Sequence, residues 1–149
     1  MSLEQQISKG IMEAMKAKDT VRLSALRNAK KYIIEAKTAG TNVAELPDAD
    51  VLKILTKLAK QGSDSAAIFA QQNREDLARE ELAQVAVFQE FLPKQLTPGE
   101  LTAEVQAIIA EAGATSMKEM GKVMGIASKR LAGRADGKEI SAKVKELLA

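Results

Sequence analysis

Apolar side chains recur at helical spacing along nearly the whole chain. Leu3, Ile7, Ile11 and Met15 form the first stripe, at intervals of four residues. No segment shows the sustained alternation of apolar and polar residues that is typical of a half-buried strand. The pattern therefore predicts an all-α protein.

Capping residues indicate where the next three helices begin and end. Asp19 is a suitable N-cap for a second helix, which we expect to stop at Gly40. A third, long helix should begin with Asp48 as its cap and end near Asn73, since Asn tolerates the left-handed conformation. A fourth helix is predicted over about residues 75–91. The expected core residues of the last two helices are Val51, Leu55, Leu58, Phe69, Leu77, Val85, Phe88 and Phe91.

Pro93 interrupts this pattern, because proline ends a helix and restricts the residue before it. Three short helices are predicted after it, each with a capping signal. The signals are Thr97 to Glu100, Ser116 to Glu119, and Asp136 to Glu139. We therefore expect an N-terminal module of about four helices, residues 1–94, followed by a three-helix tail domain, residues 95–149.

Composition excludes several classes of chemistry. The chain has 149 residues with no cysteine and no histidine, which removes disulfides, thiolate sites, the commonest general base and the commonest transition-metal ligand. No apolar run approaches the roughly 18 residues of a membrane span. The N-terminal sequence lacks the basic-then-apolar order of a signal peptide. We expect a cytoplasmic protein with no cofactor, no metal and no membrane contact.

Positive charge is concentrated near the C-terminus. The whole chain carries only +2, but residues 118–145 hold eight cations and three anions, a net charge of +5. Aromatic residues make up 3% of the chain, which leaves little material for stacking on bases. Any nucleic acid should therefore be recognised by shape and phosphate contacts.

A row of lysines within this segment is the candidate binding site. On one continuous helix Lys118, Lys122 and Lys129 project within about 40° of one another, at ~100° per residue. Met117, Met120, Met124, Ala127 and Leu131 lie on the opposite side and are expected in the core. Gly121 and Gly125 flank the lysines and would let a phosphate strand approach closely. The candidate RNA-binding residues are Lys118, Gly121, Lys122, Gly125, Lys129 and Arg134.

Simpler interpretations of these residues stay open. A lysine row is often only a solvated helix face, and glycines four residues apart often mark close packing between helices. The same holds for the acidic group on the fourth helix, where Asp76 and Glu80 lie one turn apart and give only a weak metal signal. Arg22 falls on an apolar stripe, so we expect it either to pair with that acidic group or to extend to solvent beside smaller alanines.

No catalytic pattern is evident. The chain lacks the Gly-x-Ser-x-Gly elbow and the Gly/Ser-rich signature of amidases, although composition does not exclude a Ser–Lys dyad. Around Gly121 and Lys122 a phosphate-binding loop would need Gly at position 116 and Ser or Thr at position 123, where Ser and Val stand. We expect no catalysis by this chain alone.

The ordered set of motifs resembles the GatB/YqeY family over essentially the whole chain. The matching segments are Asn73 to Ala78, Glu80-Glu81, Phe91 to Leu96, Gly113 to Ser116, Met120 to Gly125 and Gly133 to Lys138. Two positions depart from the usual pattern: Ala127-Ser128 replaces a bulkier apolar pair, and Asn73 stands where Gly is common. Neither departure falls on the candidate RNA-binding residues.

The resemblance implies a relation to the B subunit of the glutamine-dependent tRNA amidotransferase. There the tail domain contacts tRNA, while the chemistry belongs to other domains and a partner amidase subunit. Three functions follow as expectations. The first is binding of tRNA or a similar RNA. The second is docking on another subunit or on a second copy of the chain, through the acidic fourth helix and the hinge around Pro93. The third is carbon–nitrogen ligase activity with glutamine as amido-N-donor within a larger complex.

Overall fold

The computed structural model describes residues 1–40 and 43–149, and within them all regular structure is helical. The prediction of an all-α protein is confirmed. The chain forms two compact units, Met1–Leu92 and Pro93–Ala149. We call them the N-terminal unit and the C-terminal unit.

Four helices make up the described part of the N-terminal unit. They are α1 (Leu3–Ala17), α2 (Thr20–Thr38), α3 (Asp48–Gln71) and α4 (Glu75–Gln89). Asp19 caps α2 as predicted, because its carboxylate accepts a hydrogen bond from the backbone N–H of Arg22 at 3.0 Å. Asp48 is not the cap of α3. Pro47 occupies that position, and the Asp48 carboxylate instead accepts from the backbone N–H of Leu3 at 2.9 Å.

The core of the N-terminal unit is built from aliphatic residues of all four helices. Met15 was expected in the α1 stripe but is 53% exposed; Gly10 and Ala14 are buried on α1 together with Ile7. The fully buried larger side chains are Ile7, Leu26, Ile33, Val51 and Leu55, and Val85 and Phe88 of α4 join the same cluster.

Two helical glycines set close contacts inside this unit. A β-carbon on Gly62 of α3 would lie 2.5 Å from Cγ2 of Val85, and one on Gly10 of α1 would lie 2.9 Å from Cδ1 of Leu26. A real β-carbon does not come within 2.5 Å of another side chain, as one at Gly62 would. Glycine therefore allows α3 and α4 to pack at their observed separation.

Glu4 is a buried carboxylate that ties three segments together. Its oxygens accept from Nζ of Lys37 at 2.7 Å and from the backbone N–H of Leu46 at 3.0 Å, and Nζ of Lys30 lies 3.7 Å away. Burial raises the pKa of the Glu4 carboxyl, but the hydrogen bonds from Lys37 and Leu46 and the charges of Lys37 and Lys30 outweigh it. The net pKa lies below its ordinary value of 4.5.

Arg22 pairs with Glu90 at the C-terminal end of α4. The expected partner was the acidic group nearer the start of that helix, so the prediction named the right helix and the wrong residue. The two side chains are 29% and 54% exposed. This is therefore a partly solvated ion pair at the edge of the core.

The C-terminal unit contains α5 (Pro98–Ala112), a 3₁₀ turn (Met117–Glu119), α6 (Met120–Arg130) and α7 (Gly137–Leu148). The predicted capping box at Thr97 forms with Glu100. Gly113 ends α5 in the left-handed conformation.

The second predicted capping box does not form. The Ser116 side chain makes no capping bond, and the carboxylate of Glu119 accepts from the backbone N–H of Thr115 at 2.7 Å. The helix consequently starts later than expected, after the 3₁₀ turn. Asp136 does precede α7, but its side chain makes no capping bond.

A separate core fills the C-terminal unit. Ala127 and Leu131 are buried as expected, whereas Met120 and Met124 are only half-buried and Met117, on the 3₁₀ turn, is 44% exposed. The buried larger residues are Leu101, Val105, Ile108, Val123, Leu131, Ile140, Val144 and Leu148.

Candidate functional site

The exposed side of α6 forms an open groove with a volume of about 680 Å³. Four of the six predicted RNA-binding residues line it, and Ile126 and Arg130 complete the lining. Lys118 and Arg134 lie outside that lining. The residues that line this α6 groove are Gly121, Lys122, Gly125, Ile126, Lys129 and Arg130.

The two glycines of the groove face open space. A β-carbon built on Gly121 or on Gly125 would meet no described atom within 4 Å. Neither glycine therefore packs against another helix in the part of the chain that the structure describes. Their backbone on α6 is accessible from outside along one helical turn.

Two of the groove's cations are engaged by the end of α5. The Lys122 ammonium donates to the carbonyl oxygen of Ala112 at 3.1 Å, and Arg130 donates to a carboxylate oxygen of Glu111 at 2.6 Å. The hydrogen bond from Arg130 holds the pKa of the Glu111 carboxyl below its ordinary value, and the same bond raises the pKa of Arg130. Both cations therefore help to join α5 and α6.

Lys129 and Lys118 are the cations of this row whose charge stays uncompensated. Both are exposed, and neither donates to or pairs with another residue of the described chain. Lys129 lies on α6 in line with Lys122. Lys118 lies on the 3₁₀ turn, where successive residues rotate by about 120° and not ~100°. The predicted alignment of three lysines therefore applies geometrically only to the two on α6.

Arg134 follows α6, and its side chain is half-buried. Its backbone carbonyl accepts from the N–H of Leu96 at 2.8 Å. Hydrogen bonds from Thr97 lower the pKa of the Glu100 carboxyl, and the charges of Lys94 and Arg134 add to that effect. The Arg134 charge is thus partly offset within its own unit.

The wider charge balance of the C-terminal unit is smaller than the +5 of residues 118–145. Residues 93–149 contain nine cations and seven anions, a net charge of +2. Glu111 and Glu146 lie just outside the basic segment and pair with Arg130 and Lys143 inside it. Basic character is therefore local to the α6 groove and its neighbours.

The acidic group on α4 shows ion pairing and no metal-binding arrangement. Arg74 pairs with Asp76 at 3.2 Å, and this hydrogen bond lowers the pKa of the Asp76 carboxyl. Among residues 1–40 and 43–149, no cluster of three or more candidate ligands could hold a metal ion. The same stretches contain no helix that is long and apolar enough to cross a membrane.

A second cavity lies between α2 and α3 and has a volume of about 360 Å³. Ala36, Ile54 and Leu58 supply apolar surface, and Glu35 and Lys57 supply charge. This cavity was not predicted from the sequence. The residues that line it give no signal of a cavity, because each of them also fits an ordinary amphipathic helix.

The chain is similar to the Altered inheritance of mitochondria protein 41, mitochondrial, of Pyrenophora tritici-repentis (strain Pt-1C-BFP). The two are 28% identical over 142 residues, which cover 93% of this chain and 76% of that protein. Residues 4–148 also match the YqeY-like protein family. That match spans both units and bears out the resemblance carried by the motifs. The chain therefore belongs to the YqeY-like protein family.

Proposed function

We propose that the protein binds tRNA or a similarly folded RNA through the α6 groove, by phosphate contacts and shape. The observation that carries this proposal is the open space beside Gly121 and Gly125 in a groove that also holds Lys122 and Lys129. Close backbone access next to positive charge suits a phosphate strand.

The glycines support the proposal because folding of the chain does not explain them. Each exposed glycine inside a helix is less favourable than alanine by about 0.5–1 kcal/mol. Gly10 and Gly62 relieve contacts within the protein, whereas nothing described within 4 Å would meet a β-carbon at Gly121 or Gly125. A partner that approaches the backbone of α6 would account for both.

The cations of the site divide into two roles under this proposal. Lys122 and Arg130 already bond to Ala112 and Glu111, so they orient α6 and add to the field. Lys129 and Lys118 make the direct phosphate contacts. Arg134, half-buried, contributes at the margin of the surface.

The resemblance to the tail domain of the amidotransferase B subunit supports RNA over other polyanions. We assign no catalytic activity to this chain by itself. Carbon–nitrogen ligase activity with glutamine as amido-N-donor is proposed only for a larger complex in which another subunit supplies the catalytic groups.

Protein docking is the second candidate function, and the N-terminal unit favours it. Ile68 and Leu82, on α3 and α4, are about half exposed. Residues 43–92 around them contain five cations and nine anions. An exposed apolar and acidic surface repels RNA and suits a basic surface of another protein.

Charge reversal tests the RNA proposal. We expect Lys118→Glu/Lys129→Glu to weaken binding of a tRNA transcript and to reduce the slope of log affinity against log salt by roughly 1.4–1.8, taking ~0.7–0.9 per phosphate. Lys138→Glu/Lys145→Glu on α7 makes the same charge change outside the groove and should have a much smaller effect. Anisotropy titrations between about 50 and 200 mM salt measure both. Equal behaviour of the two variants contradicts the proposal.

A further inference from the structure

The N-terminal unit is electrically polarised between its two pairs of helices. Residues 1–40, which contain α1 and α2, hold eight cations and four anions, a net charge of +4. Residues 43–92, which contain α3 and α4, carry −4. A polyanion is therefore attracted to the first pair of helices and repelled by the second.

Of the four anions of the basic half, only Glu4 is withdrawn from the surface. It is buried against Lys37 and Lys30. Asp19 caps α2 and Glu13 pairs with Lys9 at 3.8 Å, but both are exposed, as is Glu35. The exposed cations of this half still outnumber its exposed anions.

Four cations of the same half keep their charge uncompensated. None forms an ion pair or a side-chain hydrogen bond within the described chain, and all are exposed. We call them the basic ridge. They are Lys16, Lys18, Arg27 and Lys31.

The register of α1 against α2 places the ridge in two parts. Nζ of Lys30 bonds to the Ser8 hydroxyl at 2.9 Å, and Lys37 bonds to Glu4, so the two helices run antiparallel from their short connection at Lys18 and Asp19. Lys16 and Lys18 lie at that connection, and Arg27 and Lys31 lie one turn apart on α2.

Arg27 and Lys31 are a like-charge pair at helical spacing, which destabilises a helix. Lys31 is placed over the ring of Tyr32, 5.4 Å from its centroid. Neither cation forms an ion pair within the described chain, although Glu35 lies one turn beyond Lys31. The fold does not explain this repulsion, and contact with a polyanion would relieve it.

We infer that the basic ridge of the N-terminal unit contacts phosphates of the RNA that the protein binds, in addition to the contacts made by the α6 groove. This inference rests on the proposed function. It assigns the acidic half, α3 and α4, to the side that faces away from RNA.

The test compares two double charge reversals within the N-terminal unit of the full chain. Arg27→Glu/Lys31→Glu changes the ridge, and Lys53→Glu/Arg79→Glu makes the same change in the acidic half, where both side chains are exposed. With a tRNA transcript as probe, the ridge variant should reduce the salt slope by roughly 1.4–1.8, taking ~0.7–0.9 per phosphate. The acidic-half variant should leave the slope close to that of the unmodified protein.

Far-UV circular dichroism and denaturant unfolding establish that each variant is folded, and Lys16→Glu/Lys18→Glu replaces the first variant if it is not. Ridge and acidic-half variants of equal affinity and slope overturn the inference. If Lys118→Glu/Lys129→Glu still weakens binding in the same assay, the α6 groove stands and only the ridge is wrong. If that variant also binds like the unmodified protein, the proposed function is wrong.

Discussion

Gly62 and Gly121 are both glycines inside helices, and they serve different purposes in the two units. At Gly62 a β-carbon would lie 2.5 Å from Val85, whereas at Gly121 it would meet nothing described within 4 Å. Two charged groups differ in the same way: Glu4 is buried in the N-terminal unit, and Lys129 is exposed in the lining of the α6 groove. Gly62 and Glu4 hold the helices of their own unit together, whereas Gly121 and Lys129 make no such contact within the described chain.

The largest expected effect is at Gly62. Gly62→Leu should destabilise the N-terminal unit by about 3 kcal/mol, because the added atoms enter a contact that already excludes a β-carbon. Gly121→Leu is the matched control, and we expect it not to destabilise its own unit, because leucine favours a helix over glycine and a β-carbon there meets nothing described within 4 Å. Denaturant unfolding measures both.

The only tyrosine, Tyr32, and all three phenylalanines lie in the N-terminal unit. Tyrosine fluorescence therefore follows the unfolding of that unit, and far-UV circular dichroism follows both. Val85→Ala should partly restore Gly62→Leu. If Gly62→Leu and Gly121→Leu are equally stable, the proposed distinction between the two glycines is wrong.

The next effect is at Glu4. Glu4→Gln should destabilise the N-terminal unit by about 2 kcal/mol, less than the ~3–5 kcal/mol of a fully buried pair, because Lys30 and Lys37 reach water. Glu13→Gln removes an exposed pair on the same helix and should change stability by less than about 0.5 kcal/mol.

The Glu4 contribution should depend on pH in a defined direction. The folded-state pKa is lower than the ordinary value of 4.5, so the stabilisation is fully present above pH 4.5 and is lost as the pH falls through the folded-state pKa. The difference between the unmodified protein and Glu4→Gln should therefore shrink in acid. A difference that grows below pH 4.5 contradicts the assignment.

The sequence predicted those features of the fold that depend only on residues close together in the chain. The caps at Asp19 and Thr97 and the helical spacing of the apolar residues were sufficient to predict the helices that follow them. The start of α6 was misplaced because the Glu119 carboxylate bonds to Thr115, so the Ser116 box does not form and a 3₁₀ turn intervenes. The sequence alone does not show whether the Glu119 carboxylate takes part in the box with Ser116 or bonds to the N–H of Thr115.

Long-range pairing could not be predicted in the same way. Glu4 reaches the backbone N–H of Leu46, and Arg22 reaches Glu90; partners so distant in sequence are determined by the packing of the helices. The α6 groove could also be predicted only in part. Helical spacing brought Gly121, Lys122, Gly125 and Lys129 together, but the link from Lys122 to Ala112 depends on where α5 ends.

The smallest effect, and the one opposite in sign, is expected for alanine in the α6 groove. Gly121→Ala and Gly125→Ala should each stabilise the C-terminal unit by about 0.4–1 kcal/mol, since alanine favours the helix, restricts the unfolded chain and meets no atom within 4 Å. The same substitutions should each weaken tRNA binding, because the added methyl group then separates the phosphate strand from the backbone of α6. Gly137→Ala, also in open space but at the start of α7, is the control that should not affect binding. Variants that are more stable and bind RNA as well as the unmodified protein would show that close backbone approach is not why glycine occupies these positions.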